Sequence, residues 1–389
     1  MSAVTPALAY PLRTHRLAVL AAFVLNGFLY ASWAARVPAI QAHYGVSDAA
    51  FGLVLICASG GAFLAMPFAA YLIARSGVTR VTVLTALLYA GAVALMPRLP
   101  AGAAVYPLFF VMGVGFGLLD VAMNAQAVEV ERAYGRAIVT SFHAGFSGAM
   151  IAGALVSSAV IYLGVGFGGH LGGAAALSAG VVAWMAPRLY PHAATDDEGA
   201  AADASAFRLP VPATYLLGAI GFCAMMSEAS IADWTTKYML EVAGAATYTA
   251  PWSLAAFSVM MTTGRVFGDR LRDRHGDAGL LRAGTALGFG GMALTLAYPT
   301  AATTILGAAL IGAGLSVTVP IVFSLSGRIR GLSASAALSM VTTISYLGLF
   351  IGPAVIGFLS EGFGLRAGYG FILGVLGLLA GLVWRVGGR

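Results

Sequence analysis

Residues Leu17 to Ala35 read LAVLAAFVLNGFLYASWAA, nineteen uncharged and mostly apolar side chains flanked by Arg13 and Arg16 on one side and Arg36 on the other. A bilayer core about 30 Å thick takes roughly 20 residues of helix, because in hydrocarbon every backbone N–H and C=O must be satisfied within the segment itself. The stretch is long enough to cross, and runs like it recur about a dozen times, separated by short Arg-bearing breaks. The predicted spans are 17–43, 49–74, 79–96, 102–132, 137–163 and 167–187, then 211–241, 249–270, 279–298, 300–326, 332–360 and 364–386. The expected fold is an all-α membrane protein with twelve transmembrane helices.

Composition agrees. The chain is 60% hydrophobic and only 9% charged, with 51 glycines and a mean hydropathy of +0.89, whereas soluble domains carry about 25% charged residues. The 389 residues are almost consumed by spans, which leaves no room for a separate catalytic domain. A formal charge of +6 would suit nucleic acid if it were gathered on one face, but the charges are scattered through short loops, so no nucleic acid partner is expected. Cys57 and Cys223 lie far apart inside apolar runs and form neither a disulfide framework nor a metal-ligand spacing. No metal or cofactor is expected. Arg13 and Arg16 precede a long span rather than a short apolar region with a cleavage site, so the first helix should be retained.

Between Arg188 and Pro210 the chain turns polar, with Pro191, Asp196, Asp197, Glu198, Asp203 and Ser205. Such a segment reads as a linker. The expected organisation is a six-helix bundle over 1–187, a cytoplasmic linker over 188–210 and a second six-helix bundle over 211–389. Of the 21 basic residues, 17 fall on the side of the termini and linker, leaving Arg36, Arg98, Lys237 and Arg366 on the other. Basic residues in short loops stay cytoplasmic, which places both termini inside. Twenty arginines against the single lysine Lys237 suggest a GC-rich bacterial genome, hence a bacterial inner membrane. A monomer is expected.

Slid about 200 residues, one half falls on the other, the mark of duplicated transporter bundles. Ser32-Trp33-Ala34-Ala35-Arg36 meets Asp233-Trp234-Thr235-Thr236-Lys237, Val139-Thr140-Ser141 meets Val341-Thr342-Thr343, and Gly113 and Gly115 meet Gly312 and Gly314. Twelve spans, a central linker and a basic motif after spans two and eight resemble the major facilitator superfamily, whose fold is two pseudo-symmetric six-helix bundles. The motif is Gly268-Asp269-Arg270-Leu271-Arg272-Asp273-Arg274-His275-Gly276 in the second half. The first copy runs from Ala74 to Arg80 and has Ala74 where the family places Asp. An acid beside a helix end with flanking arginines can latch the cytoplasmic ends of neighbouring helices. Asp269, Arg270, Asp273, Arg274, Arg75 and Arg80 are therefore the candidate gating residues. Leu119 to Asn124 with Ser141 to Phe146 resembles the fucose permease-like group, in which an acid at the position of Asp120 is associated with proton coupling. That group's acid in the first span is absent here.

An ionisable side chain at mid-membrane costs about 2.5–3.5 kcal/mol on insertion scales, so one that persists there faces a cavity or a partner. Counting back from Arg132, Asp120 lies roughly 18 Å deep. Asn124 shares its face and is expected to bond the carboxylate. A carboxyl in apolar surroundings takes up a proton more readily than one in water, which makes Asp120 the first proton-coupling candidate, with His143 as a relay. Ser147, one turn on from His143, could add a polar contact. In the seventh span Asp233 and Lys237 are spaced for an intrahelical ion pair, leaving Glu228 as an unpaired acid and a second coupling candidate. Arg36 is read either as snorkelling to the interface, as a partner of Glu228, or as an anion ligand. Trp33, Trp234, Tyr30, Phe142 and Tyr346 are candidates to line a cavity where aromatic faces stack on a solute.

No Walker-type phosphate loop, G-x-S-x-G or H-E-x-x-H pattern occurs in the sequence, which argues against ATP-driven transport and against an enzyme. A channel would not need two matched halves. The sequence therefore predicts a secondary transporter with no catalytic residues. Proton-coupled symport of a small polar, sugar-like solute by alternating access is the first reading, and proton-driven efflux of drugs or metabolites the alternative.

Overall fold

The computed structural model describes residues 10–136, 138–191, 211–329 and 332–386. Among them are thirteen α-helices. They are α1 Leu12–Ala34, α2 Val37–Tyr44, α3 Asp48–Ser76, α4 Val78–Leu95, α5 Val105–Tyr134, α6 Val139–Tyr162, α7 Phe167–Met185, α8 Pro212–Glu241, α9 Trp252–Ala297, α10 Ala301–Leu315, α11 Thr318–Ser326, α12 Ala334–Phe363 and α13 Leu365–Val386. Most of the linker predicted from 188 lies outside the described residues.

Eleven stretches are long and apolar enough to cross a membrane, one fewer than the sequence predicts. The difference is the arm of α9 ahead of Arg270. α9 turns sharply at Gly276, whose φ of 69° and ψ of 167° leave the helical region, a conformation that glycine adopts without Cβ strain. Two further predicted spans are broken. The first parts at Ala35 and Arg36 into α1 and the short α2, and the tenth parts at Ser316 and Val317 into α10 and α11.

Local signals set the helix ends. Ser47 accepts from Ala50 N at 3.3 Å to cap α3, and Thr300 and Thr303 form a reciprocal capping box on α10, each satisfying amides that a helix start leaves open. The carboxylate of Glu131 caps α6 from the preceding helix, accepting from Ile138 N at 2.6 Å and Val139 N at 2.8 Å.

Lipid supplies no hydrophobic drive between helices, so close packing through small residues has to hold them together. The same contact occurs twice. A Cβ on Gly113 of α5 would strike Ala58 O of α3, and one on Gly312 of α10 would strike Phe257 O of α9. A Cβ on Gly115 would lie 2.9 Å from Tyr89 N, and one on Gly314 2.7 Å from Gly288 N. Each partner in the later part of the chain sits 199 positions after its counterpart, so the repeated glycines serve repeated helix crossings.

The start of α1, the end of α7, the start of α8 and the end of α13 share one end of the molecule, here the terminal end. His15 Nδ1 meets Arg188 O there at 2.8 Å, and Arg16 donates to Ser141 Oγ at 3.1 Å. The opposite, far end is where the two parts of the chain meet. α3 packs on α12 and α6 on α9. A Cβ on Gly52 would come within 3.0 Å of Ala354 O, and one on Gly357 within 3.0 Å of Gly52 Cα.

Candidate transport site

α1, α5 and α6 meet α8, α9 and α12 around a central set of polar side chains. Tyr30 of α1 donates its hydroxyl to Asp233 of α8 at 2.8 Å. This bond joins the two parts of the chain deep in the protein. Tyr346 of α12 lies within electrostatic reach of both Asp120 and Glu228, and Tyr30 within reach of Glu228 as well as Asp233. His143 of α6 is exposed, packs edge-on against Phe23 at 5.2 Å and feels Arg265 of α9. Asp120, Asn124, Ser147, Glu228 and Tyr346 are all partly accessible. Acids, phenols and one imidazole from distant spans are thus gathered in one region of the protein.

Several pairings differ from the sequence expectation. Asp233 and Lys237 do not pair. Asp233 turns inward to Tyr30, whereas Lys237 reaches the far end, where it pairs with Asp48 of α3 and lies 3.4 Å from Glu241. A same-helix pair is worth only a few tenths of a kcal/mol, and contacts between helices outcompete it. Glu228 is not unpaired, since Arg265 NH2 approaches its Oε1 at 3.4 Å. Asn124 Nδ2 donates to the backbone carbonyl of Asp120 at 2.8 Å rather than to the carboxylate, as a short amide one turn along a helix readily does.

Among the aromatic candidates, Phe142 and Trp234 are fully buried and Trp33 is 3% exposed. Phe142 stacks on Phe23 at 5.6 Å. Trp234 Nε1 donates to Pro353 O at 3.0 Å, and Trp33 Nε1 to Tyr89 Oη at 3.2 Å. These three are packing residues around the site, and Tyr30 and Tyr346 are left as the accessible aromatics. Arg36 is buried too. It donates Nε to His170 Nδ1 at 2.9 Å and NH2 to Val165 O at 2.8 Å, fastening the turn between α6 and α7. It meets neither Glu228 nor the central site.

The sequence-predicted latch at the terminal end has different partners. Arg272 pairs with Asp277 and donates to Ser324 Oγ at 2.8 Å, and Arg328 lies 3.9 Å from Asp277. Arg270 sits over Phe267 at 6.0 Å, Arg75 donates to Tyr71 Oη at 3.0 Å, and Asp273, Arg274 and Arg80 are exposed. The side chain of Asp269 lies outside the described residues. Asp277, one residue past the Gly276 turn, is the acid that the motif alone does not single out.

Sequence reasoning also missed Asp48, Glu361, Tyr89 and Arg265. Glu361 of α12 accepts from Asp48 N at 3.0 Å and Ala49 N at 3.4 Å, capping α3 from the other part of the chain. Ser158 of α6 donates to Tyr248 O at 2.5 Å and accepts from Trp252 Nε1 at 2.9 Å. Asp48 and Glu361 stood at the edges of their spans opposite a lone Lys237, and that complementarity of sign was the available signal.

The profile of the Major Facilitator Superfamily matches residues 18–335. An MFS-type transporter of Yersinia pestis is 32% identical over 352 residues, 90% of each chain. Among solved structures, a point variant of the nucleoside transporter NupG superposes with a TM-score of 0.82 at 14% identity, over 95% of this chain and 99% of its own. A D-xylose-proton symporter gives 0.70 at 15% identity, over 95% and 98%. These structures are alike in fold. With the thirteen-helix architecture and the family match over most of its length, this chain belongs to the Major Facilitator Superfamily of membrane transporters.

Proposed function

We propose that the protein is a proton-coupled symporter for a small polar, sugar-like solute, working by alternating access between two six-helix bundles. The observation that carries this reading is the convergence of Asp120 from α5 and Glu228 from α8 near one phenol, Tyr346 of α12. Carboxyls from both parts of the chain are thereby brought together among apolar spans, where an ionisable group needs a cavity or a partner. In the proposed mechanism Asp120 and Glu228 exchange protons, His143 relays them toward the terminal end, and Tyr30, Asn124, Ser147 and Tyr346 bind the solute.

Counting the two arms of α9 separately and joining α1 to α2 and α10 to α11 gives twelve spans, six on each side of the linker. The bundles are then 1–187 and 211–389. The doubled glycine contacts support a duplication of this kind. The crowding of arginine at the terminal end supports placing that end in the cytoplasm of a bacterial cell. The fucose permease-like resemblance around Asp120 and the names of two fold neighbours, one a nucleoside transporter and one a D-xylose-proton symporter, favour a polar solute.

A melting-temperature screen of the purified protein against neutral metabolites would find the solute, since a ligand of the folded state raises its stability. In proteoliposomes the native protein is then expected to accumulate that solute under an inward proton gradient. Asp120→Asn should abolish accumulation and leave counterflow exchange. Accumulation that persists in the variant would remove Asp120 from the coupling.

A further inference from the structure

A second concavity lies away from the central site. The two arms of α9 diverge from Gly276 and leave a groove of about 520 Å³ between them, floored by Ala313, Ser316 and Val317. Small residues shape it. A Cβ on Gly284 would lie 2.5 Å from Gly314 O, and one on Gly264 would strike Ser316 Oγ, so the helices close tightly beneath while the walls stay apart. Those walls are apolar and open outward, with Phe267 45% exposed, Leu271 38% and Leu287 40%. At the terminal-end mouth stand Arg270 and Arg274, one helical turn apart and both exposed. Among the described residues neither has a carboxylate within ion-pair distance. Arg272 between them turns away to Asp277, and Asp273 does not line the groove.

We propose that this groove holds one anionic phospholipid, with an acyl chain along Phe267, Leu271 and Leu287 and its phosphate between Arg270 and Arg274. The volume falls within the range of small-molecule clefts. An apolar slot that ends in two cations, on a segment that crosses the bilayer, complements a hydrocarbon tail ending in a phosphate. Two guanidinium groups can take the phosphate oxygens through charge-assisted hydrogen bonds. The site stands independently of what the central chamber carries.

Native mass spectrometry of the full chain, released from nanodiscs of mixed phosphatidylglycerol and phosphatidylcholine, tests this. Retained phosphatidylglycerol should outlast phosphatidylcholine. Replacing both arginines (Arg270→Gln with Arg274→Gln) should weaken retention roughly thirtyfold, on the basis of the attraction of two basic side chains to an anionic lipid. Ala283→Phe fills the groove with the charges intact and should lower retention of either lipid, so it decides the matter if the double variant does not fold. Equal retention of the two lipids by the native protein would overturn the proposal. So would undiminished phosphatidylglycerol binding in either folded variant, or a lipid-independent dimer that covers the groove.

Discussion

At the far end Lys237 of α8 reaches Asp48 of α3, Glu361 of α12 caps α3, and Trp252 of α9 bonds Ser158 of α6. At the terminal end the ion pairs of Arg272 and Arg328 with Asp277 stay within the second part of the chain, and the bonds of His15 and Arg16 within the first. Among the described residues, therefore, one end is sewn by these bonds across the two parts and the other by bonds within each. The difference teaches what kind of closure the proposed alternating-access mechanism can use. A buried ion pair gains Coulomb energy and loses about as much hydration, so forming it whole changes the free energy little. Contacts of that kind can close an end firmly in geometry and still release it when a ligand shifts the balance by a few kcal/mol.

The strongest way to break the contrast is to keep the far end from closing. Gly357→Val places a side chain against Asp48 O and the Gly52 backbone, where neither helix can give way without moving bodily. Accumulation in proteoliposomes is expected to vanish, and thiol labelling of a cysteine introduced at Ala49 should rise several-fold. Labelling at the native level would mean that α3 and α12 do not seal this end.

Next in size is Lys237→Met. It leaves Asp48, whose side chain is 14% exposed, with the neutral partners Gln41, at 2.8 Å, and Ser360. An orphaned buried charge costs about 3 kcal/mol or more, which should appear as a clear fall in melting temperature. Adding Asp48→Asn removes the stranded charge and should recover most of that fall. A double variant no more stable than Lys237→Met would show that the pair is not what closes the far end.

The helices were legible because a bilayer imposes one length and one composition on every span, and the long apolar runs declare both. Asp120, His143 and Glu228 were legible for the related reason that an ionisable group is conspicuous in such a run. Pairing was not, because it depends on which face each helix turns to its neighbour, and an almost uniformly apolar sequence carries little record of that. Asp233 and Lys237 show the limit. Their spacing permits a local pair, and only the meeting of α8 with α1 on one level and with α3 on another sends them to Tyr30 and Asp48. Trp33 and Trp234 match in sequence and also in role, as buried packing residues on both sides. The break after Leu315 was hidden because the run from Ala301 to Ser326 carries no charge, whereas Arg36 did mark the end of α1.

The smallest effects separate the two ends most finely. Trp252→Phe keeps an aromatic side chain, though a smaller one, and deletes the hydrogen bond to Ser158 Oγ, a loss of about 1 kcal/mol, and it removes a bond that crosses between the parts of the chain. Arg272→Gln deletes a partly exposed pair with Asp277, worth at most about 1 kcal/mol, and it removes a bond that does not cross. The two variants should therefore lose similar melting temperature and differ in labelling. Trp252→Phe is expected to raise thiol reactivity at an introduced Ala49→Cys, because it loosens the far end, whereas Arg272→Gln leaves that reactivity unchanged. If both raise it equally, the terminal-end pair also bears on closure at the far end, and the two ends are coupled more tightly than their separate bonding suggests.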